Sequence, residues 1–338
     1  MPLTLNAPLD MHLHLRDGEM LENIAKESAR TFSGALIMPN LVPPVSSKEE
    51  VIAYKQRIMA AVGNEKFTPY MTLFFKPSYD RTFLESVKEE ITAIKLYPAG
   101  ITTNSEGGVS GFDVEELRPA LEAMSELNIP LCVHGETNGF VMDREAEFVS
   151  IYEKLASAFP NLKIIMEHIT TKASVDALDK FENLYATITL HHLIITLDDV
   201  AGGMLKPHLF CKPIAKRPED REALLKVALE AHPKVMFGSD SAPHPKHAKE
   251  SCGCAAGVFT APIALQVLAE LFEKENAPLE NLQAFISGNA QAIYGLVPLA
   301  KTVTLEKKSF QVPSDYKGVV PMYADEYIEY SIKDVTNG

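Results

Sequence analysis

The stretch Asp10-Met11-His12-Leu13-His14-Leu15-Arg16-Asp17-Gly18 decides how the rest of the chain is read. In a β-strand successive side chains point to opposite faces, so the pattern sets His12, His14 and Arg16 on one face and Leu13 and Leu15 on the other. Two imidazoles one strand period apart can share a divalent ion of zinc type, and a guanidinium just beyond them can fork onto a carboxylate. A His-x-His is also an ordinary pair of hydrogen-bonded histidines. The choice between the two readings therefore depends on what the later strands carry at their ends.

Working outward, eight short apolar runs recur, most of them separated by a helix-like segment. They span 9–15, 34–41, 67–75, 93–99, 130–136, 163–169, 184–190 and 234–240. Helices are expected over 19–30, 48–61 (opened by Ser46 and Ser47), 81–90, from Asp113 onward, 144–159, up to Phe181, 218–230, 262–275 and 279–293. Strands alternating with helices imply a parallel sheet, and eight repeats imply closure into an α/β (β/α)8 TIM barrel. An open doubly wound sheet would carry a glycine-rich phosphate turn after its first strand, where this chain has His-Leu-His-Leu-Arg. The chain reads as one domain, 1–338, ending after Thr302 in a small, irregular C-terminal appendage.

The bulk numbers agree with a globular enzyme and narrow its partners. With 46% hydrophobic and 23% charged residues there is ample material for a core. A net charge of −13, from 45 acidic and 32 basic residues, argues against nucleic acid or an anionic membrane as the main partner. It leaves room for a small anionic substrate in a locally positive pocket. No apolar run approaches a membrane span, the first residues lack a signal-peptide pattern, and a cytoplasmic location is expected. Four cysteines in 338 residues do not make a disulfide framework, and Cys252-Gly-Cys254 reads as a loop of small residues.

Active sites of such barrels lie at the carboxyl ends of the strands. The polar residues collect there: His12 and His14 on the first run, Asn40 on the second, Lys95 on the fourth, His134 on the fifth, His168 on the sixth and Asp240 on the eighth. Counting back by twos gives Leu36 and Met38, Ala93, Cys132, Met166, Met236 and Gly238 as barrel-interior positions. Together these tips point to a metal site. Lys95 is the oddity, because an ammonium beside a divalent cation is repelled. Either it is neutral, or it points away, or it has been converted to an anion; its ordinary reading is a lysine that binds a phosphate or carboxylate.

The motifs taken in order, His12-Leu13-His14-Leu15-Arg16-Asp17, Met38-Pro39-Asn40, Lys95-Leu96-Tyr97-Pro98, His134-Gly135-Glu136, Glu167-His168-Ile169-Thr170-Thr171-Lys172 and Gly238-Ser239-Asp240-Ser241-Ala242-Pro243-His244, resemble the dihydroorotases of the short bacterial type, within the amidohydrolase superfamily. The resemblance runs from the first strand to about Gly295. It implies a zinc-dependent, reversible cyclisation of N-carbamoyl-L-aspartate to L-dihydroorotate in pyrimidine biosynthesis. It also implies two zinc ions per subunit, with His12, His14 and Asp240 on the first, His134 and His168 on the second, and an N6-carboxylated Lys95 and a hydroxide bridging both. Asp240 becomes ligand and general acid/base. Arg16, Asn40 and His244 become the carboxylate clamp, with further substrate contacts from His134 and from the backbone at Lys212 and Ala255. Thr102 and Thr103 fall in a mobile loop that closes over substrate, and a homodimer is expected. Lys212 departs from the apolar residue expected at its position. His191, His192, His208, His232 and His247 read as structural or surface residues. The rival readings are a hydantoinase or allantoinase, which would not need the carboxylate clamp, and a catalytically dead scaffold, which would have lost ligands.

Overall fold

The computed structural model describes residues 2–337. A short strand, β1 (Leu3–Asn6), precedes the eight expected ones: β2 (Leu9–Leu13), β3 (Gly34–Ile37), β4 (Thr68–Phe74), β5 (Ala93–Leu96), β6 (Leu131–Val133), β7 (Ile164–Met166), β8 (Leu184–Ile188) and β9 (Val235–Phe237). These eight form a parallel sheet in sequential order, β2 to β9. Short buried strands need every backbone group paired, and closure of the ring supplies the missing partners at the two edges. Here Asp240 N–H donates to the His12 carbonyl (2.9 Å) and His14 N–H to the Ser241 carbonyl (3.2 Å), just beyond the ends of β9 and β2. Asp10 strengthens the seam, its buried carboxylate accepting from Ser239 N–H (2.7 Å) and Ser239 Oγ (2.5 Å).

Helix starts follow local chemistry. Ser47 and Glu50 form a capping box at Lys48–Val62, and Asp113 caps Val114–Glu126, both where the sequence signals them. The interior of the ring is filled by Leu9, Met11, Leu36, Met38, Ala93, Cys132, Ile165 and Met236, while a second apolar shell lies between the strands and the helices. One expected interior position is corrected. Ile165, not Met166, faces inward on β7, and Met166 packs in the outer shell. His168 still reaches the site because its backbone turns to φ +41°, which breaks the period-2 count.

The C-terminal segment is also corrected: it is regular. β10 (Lys301–Gln311) and β11 (Tyr327–Asn337) form an antiparallel pair, and β1 adds to β10 with Leu3 opposite Leu305 and Asn6 opposite Thr302. Val303 and Leu305 are buried and alternate with partly exposed Thr302, Thr304 and Glu306, the pattern of a strand with one covered face. Lys301 is buried at the start of β10, and its ammonium donates to the carbonyls of Ala29 (2.5 Å) and Phe32 (2.9 Å) at the C-terminal end of helix Gly18–Ala29. Ala29 is in the last turn, whose carbonyls a helix leaves without an internal partner, and Phe32 lies in the turn that follows.

Candidate metal centre and substrate pocket

The strand tips converge. One ligand atom each from His12, His14 and Asp240 lies within 4.8 Å of the other two, and all three residues are buried. His14 Nε2 stands 3.1 Å and His12 Nε2 3.6 Å from Asp240 Oδ1. Beside them, His134 Nδ1 faces His168 Nε2 at 3.2 Å. His12 and His168 rings are in contact, with centroids 4.9 Å apart, which joins the two groups into one cluster.

Three observations fit this cluster to metal ions. Two donors on one tetrahedral zinc at bond lengths of ~2.0–2.1 Å lie about 3.3 Å apart, close to the separations found here. Burial lowers the His14 pKa to about 4 and His168 well below its ordinary value, so both rings are neutral, the form that ligates. Lys95 Nζ and His168 Nδ1 are buried with no hydrogen-bond partner, which is costly unless something else occupies them.

Lys95 is fully buried on β5, and burial pulls its pKa down from that of an ordinary lysine. Its Nζ lies 5.2 Å from the Tyr97 ring centroid, and the carboxylates of Glu167 and Asp240 act on it from nearby. The two carboxylates differ from a normal buried acid. Burial pushes both up, but the His12 and Lys95 charges and the hydrogen bonds to Glu167 bring it down to about 2, while hydrogen bonding from His14 and the surrounding imidazoles hold Asp240 well below the usual range.

The chain reading missed the residues that aim the ligands. Glu167 Oε2 accepts from His12 Nδ1 (2.6 Å) and from Thr187 Oγ1 (2.6 Å). Glu136 Oε2 pairs with His134 Nε2 at 2.7 Å. Such carboxylate–imidazole pairs fix the tautomer and the ring orientation of a ligand histidine. A signal was available for Glu167: it lies two residues beyond inward-facing Ile165, so it occupies the interior face that a count started from His168 assigns to Met166.

A narrow cavity opens above the cluster, lined by Arg16, Asn40, Tyr97, Thr102, Thr103, Lys212, Ala242, Ala256 and Gly257 together with the five candidate ligands His12, His14, His134, His168 and Asp240. Arg16 is held ready by its neighbours: Nε donates to the Pro243 carbonyl (3.2 Å) and Nη2 meets His244 Nε2 (3.0 Å). His244 stands behind Arg16 and outside that wall, and burial lowers its pKa to about 3, so it is neutral beside the guanidinium. Ala255 is not in the wall. Its N–H goes to the Ala248 carbonyl, its own carbonyl accepts from Lys249 Nζ (2.7 Å), and Ala256 and Gly257 face the cavity in its place.

Another histidine group, His191, His192 and Cys211, is also buried and close. Two of its members are already satisfied within the protein. His192 pairs with Thr189 Oγ1 and the Pro213 carbonyl, and the Cys211 thiol donates to the same carbonyl.

The amidohydrolase family profile matches residues 10–296. The chain belongs to the amidohydrolases, a class of barrel hydrolases to which this fold and this cluster of strand-tip ligands conform. Within them it belongs with the dihydroorotases. A curated dihydroorotase of Helicobacter hepaticus is 46% identical over 98% of both chains. Among solved structures, a dihydroorotase from Campylobacter jejuni is 62% identical with a TM-score of 0.95, covering 98% of each chain. One from Saccharomyces cerevisiae, in complex with 5-fluoroorotic acid, is 34% identical with a TM-score of 0.91 and the same coverage.

Proposed function

We propose that this hydrolase of cyclic amide C–N bonds interconverts N-carbamoyl-L-aspartate and L-dihydroorotate, using two zinc ions per subunit held by His12, His14 and Asp240 and by His134 and His168, with Lys95 between them. The observation that carries the reading is the buried group of His12, His14 and Asp240, the His134–His168 pair packed beside it, and the orphaned amine of Lys95. Bound metal ions supply an activated water and polarise the scissile carbonyl.

Lys95, its amine favoured in the neutral form by burial, adds carbon dioxide. The new N–C bond forms as one N–H proton leaves to solvent, which gives an anionic carbamate with two oxygens to share. A carbamate there would offer metal ions an anionic oxygen donor where a protonated lysine would be repelled, and so would remove the charge conflict. Asp240, ionised and facing the cavity, takes the proton of the attacking water at its carboxylate and returns it to the ring nitrogen as the C–N bond breaks. In the synthetic direction it removes that nitrogen's proton as the ring closes.

Arg16 binds the substrate carboxylate, Asn40 assists, and His244 keeps the guanidinium in place. Backbone groups at Lys212 and in the 255–257 segment contact the ring, and the Thr102–Thr103 loop closes over it to exclude water. The enzyme acts in the cytoplasm as a homodimer. Among the described residues no helix is long and apolar enough to cross a membrane.

The test is turnover of dihydroorotate against hydantoin, with zinc measured on the same sample. Dihydroorotate preferred by at least about tenfold with two zinc ions per chain supports the reading; equal or better hydantoin hydrolysis overturns it.

A further inference from the structure

The loop that follows β5 is a self-contained turn. Gly100 N–H and Gly108 N–H both donate to the Ser105 carbonyl, while buried Ser105 accepts from Thr102 N–H and donates its own hydroxyl to the Thr102 carbonyl at 2.8 Å. At its base, Val109 N–H donates to the Tyr97 carbonyl (2.8 Å) and Ala99 N–H to the Val109 carbonyl (2.9 Å). A unit bonded mainly to itself moves as one piece about its base. What holds it down is therefore decided by the few bonds it makes to the rest of the barrel.

Those bonds come from two sides. Asn40, after β3, donates from Nδ2 to the Thr103 carbonyl (2.9 Å) and accepts on its own carbonyl from Asn104 Nδ2 (3.0 Å). Lys212, in the connection between β8 and β9, donates from Nζ to the Ile101 carbonyl at 2.9 Å. Because β5 and β8 are three places apart in the ring of eight, the lysine reaches across the barrel mouth to the loop. An apolar side chain at this position offers no donor to that carbonyl.

We infer that Lys212 is a positioning residue that fastens the 100–108 lid over the cavity before substrate arrives, by its ammonium bond to the Ile101 carbonyl. The inference deepens the function proposed above and rests on it for its kinetic consequence. A lid already biased toward closure lowers the ordering cost of binding, because less of the binding energy is spent on shifting the population of closed molecules. The same bond slows release, since it must break each time the lid lifts. Asn40 adds a second link: its Nδ2 is engaged by Thr103 while its side chain also lines the cavity, so lid position and the carboxylate pocket share an atom.

The experiment is amide hydrogen exchange on the metal-loaded full chain without substrate, comparing wild type, Lys212→Met and Lys212→Arg. Exchange at 101–105 is expected to rise about tenfold in Lys212→Met, equivalent to about 1.4 kcal/mol of lid opening, with strands β2–β9 unchanged. Lys212→Arg, which keeps a donor, is expected to restore most of the protection. In steady-state assays Lys212→Met is expected to lose about tenfold in kcat/KM, mostly through KM. Lid exchange within twofold of wild type overturns the inference. If KM rises while lid exchange does not, the lysine touches substrate directly and the tether is likewise overturned. Since the exchange readout needs no turnover, an inactive chain with a loosened lid would overturn the assigned reaction and leave the tether standing.

Discussion

Two buried lysines, at opposite ends of the barrel, show what its two ends are for. Lys301 and Lys95 are 2% and 0% exposed, yet their surroundings differ completely. At the floor, Lys301 gives its protons to the Ala29 and Phe32 carbonyls, closing off a helix end. At the mouth, Lys95 Nζ has no acceptor. Burial lowers both pKa values, Lys301 to about 8. A buried cation satisfied by backbone is part of the scaffold, whereas a buried amine left unsatisfied is a place where chemistry supplies the missing partner.

The contrast can be broken or sharpened by experiment. Lys95→Ala is expected to lower kcat/KM by about 10³-fold or more, with loss of metal and partial rescue by a short-chain carboxylic acid that stands in for the proposed carbamate. Metal analysis with and without the added acid checks it; a fully active, metal-loaded variant would place Lys95 in the same category as Lys301. Asp240→Asn removes the carboxylate proposed to carry the proton and should cost about 10²–10⁴-fold in kcat while leaving much of the metal bound. Glu167→Gln, which loosens the orientation of His12, should weaken metal affinity or activity by about 10–100-fold, read by zinc titration.

Lys301→Met is the scaffold counterpart. It leaves helix-end carbonyls unpaired and should cost about 1–3 kcal/mol in denaturant unfolding with kcat unchanged at a permissive temperature. An effect on stability of similar size concerns acid. Burial lowers the His191 pKa from 6.5 to about 4, so between those values the unfolded chain binds a proton that the folded chain does not. Stability therefore falls as pH drops from 6.5 toward 4, by about 3 kcal/mol from this residue when the loss is complete. His191→Leu should flatten that part of the stability profile, measured by urea midpoints at pH 7 and 4.5.

Much of this molecule was legible along the chain. Apolar runs alternating with capped helices specify a parallel barrel, and period-2 alternation put Ala93 with Lys95 and Cys132 with His134 on the interior face, as the core confirms. The same local rule failed at β7. A positive φ at His168 turns a side chain inward against the alternation, and no count along one strand registers a backbone torsion. The 301–311 segment carries a readable alternation of Val303 and Leu305 with Thr302 and Thr304, yet its pairing with residues 3–6 joins opposite ends of the chain.

By itself the sequence determined the kind of elements, their order and the ligand types at the strand tips, because strand alternation and helix caps are properties of neighbours a few residues apart. Only the tertiary structure decided that Glu167 and Glu136 aim the ligand rings, that Ala256 and Gly257 rather than Ala255 face the cavity, and that Lys212 meets the Ile101 carbonyl. Those contacts join residues brought together by closure of the ring or by the course of its loops, and the donors and acceptors in them are chosen by distance in space.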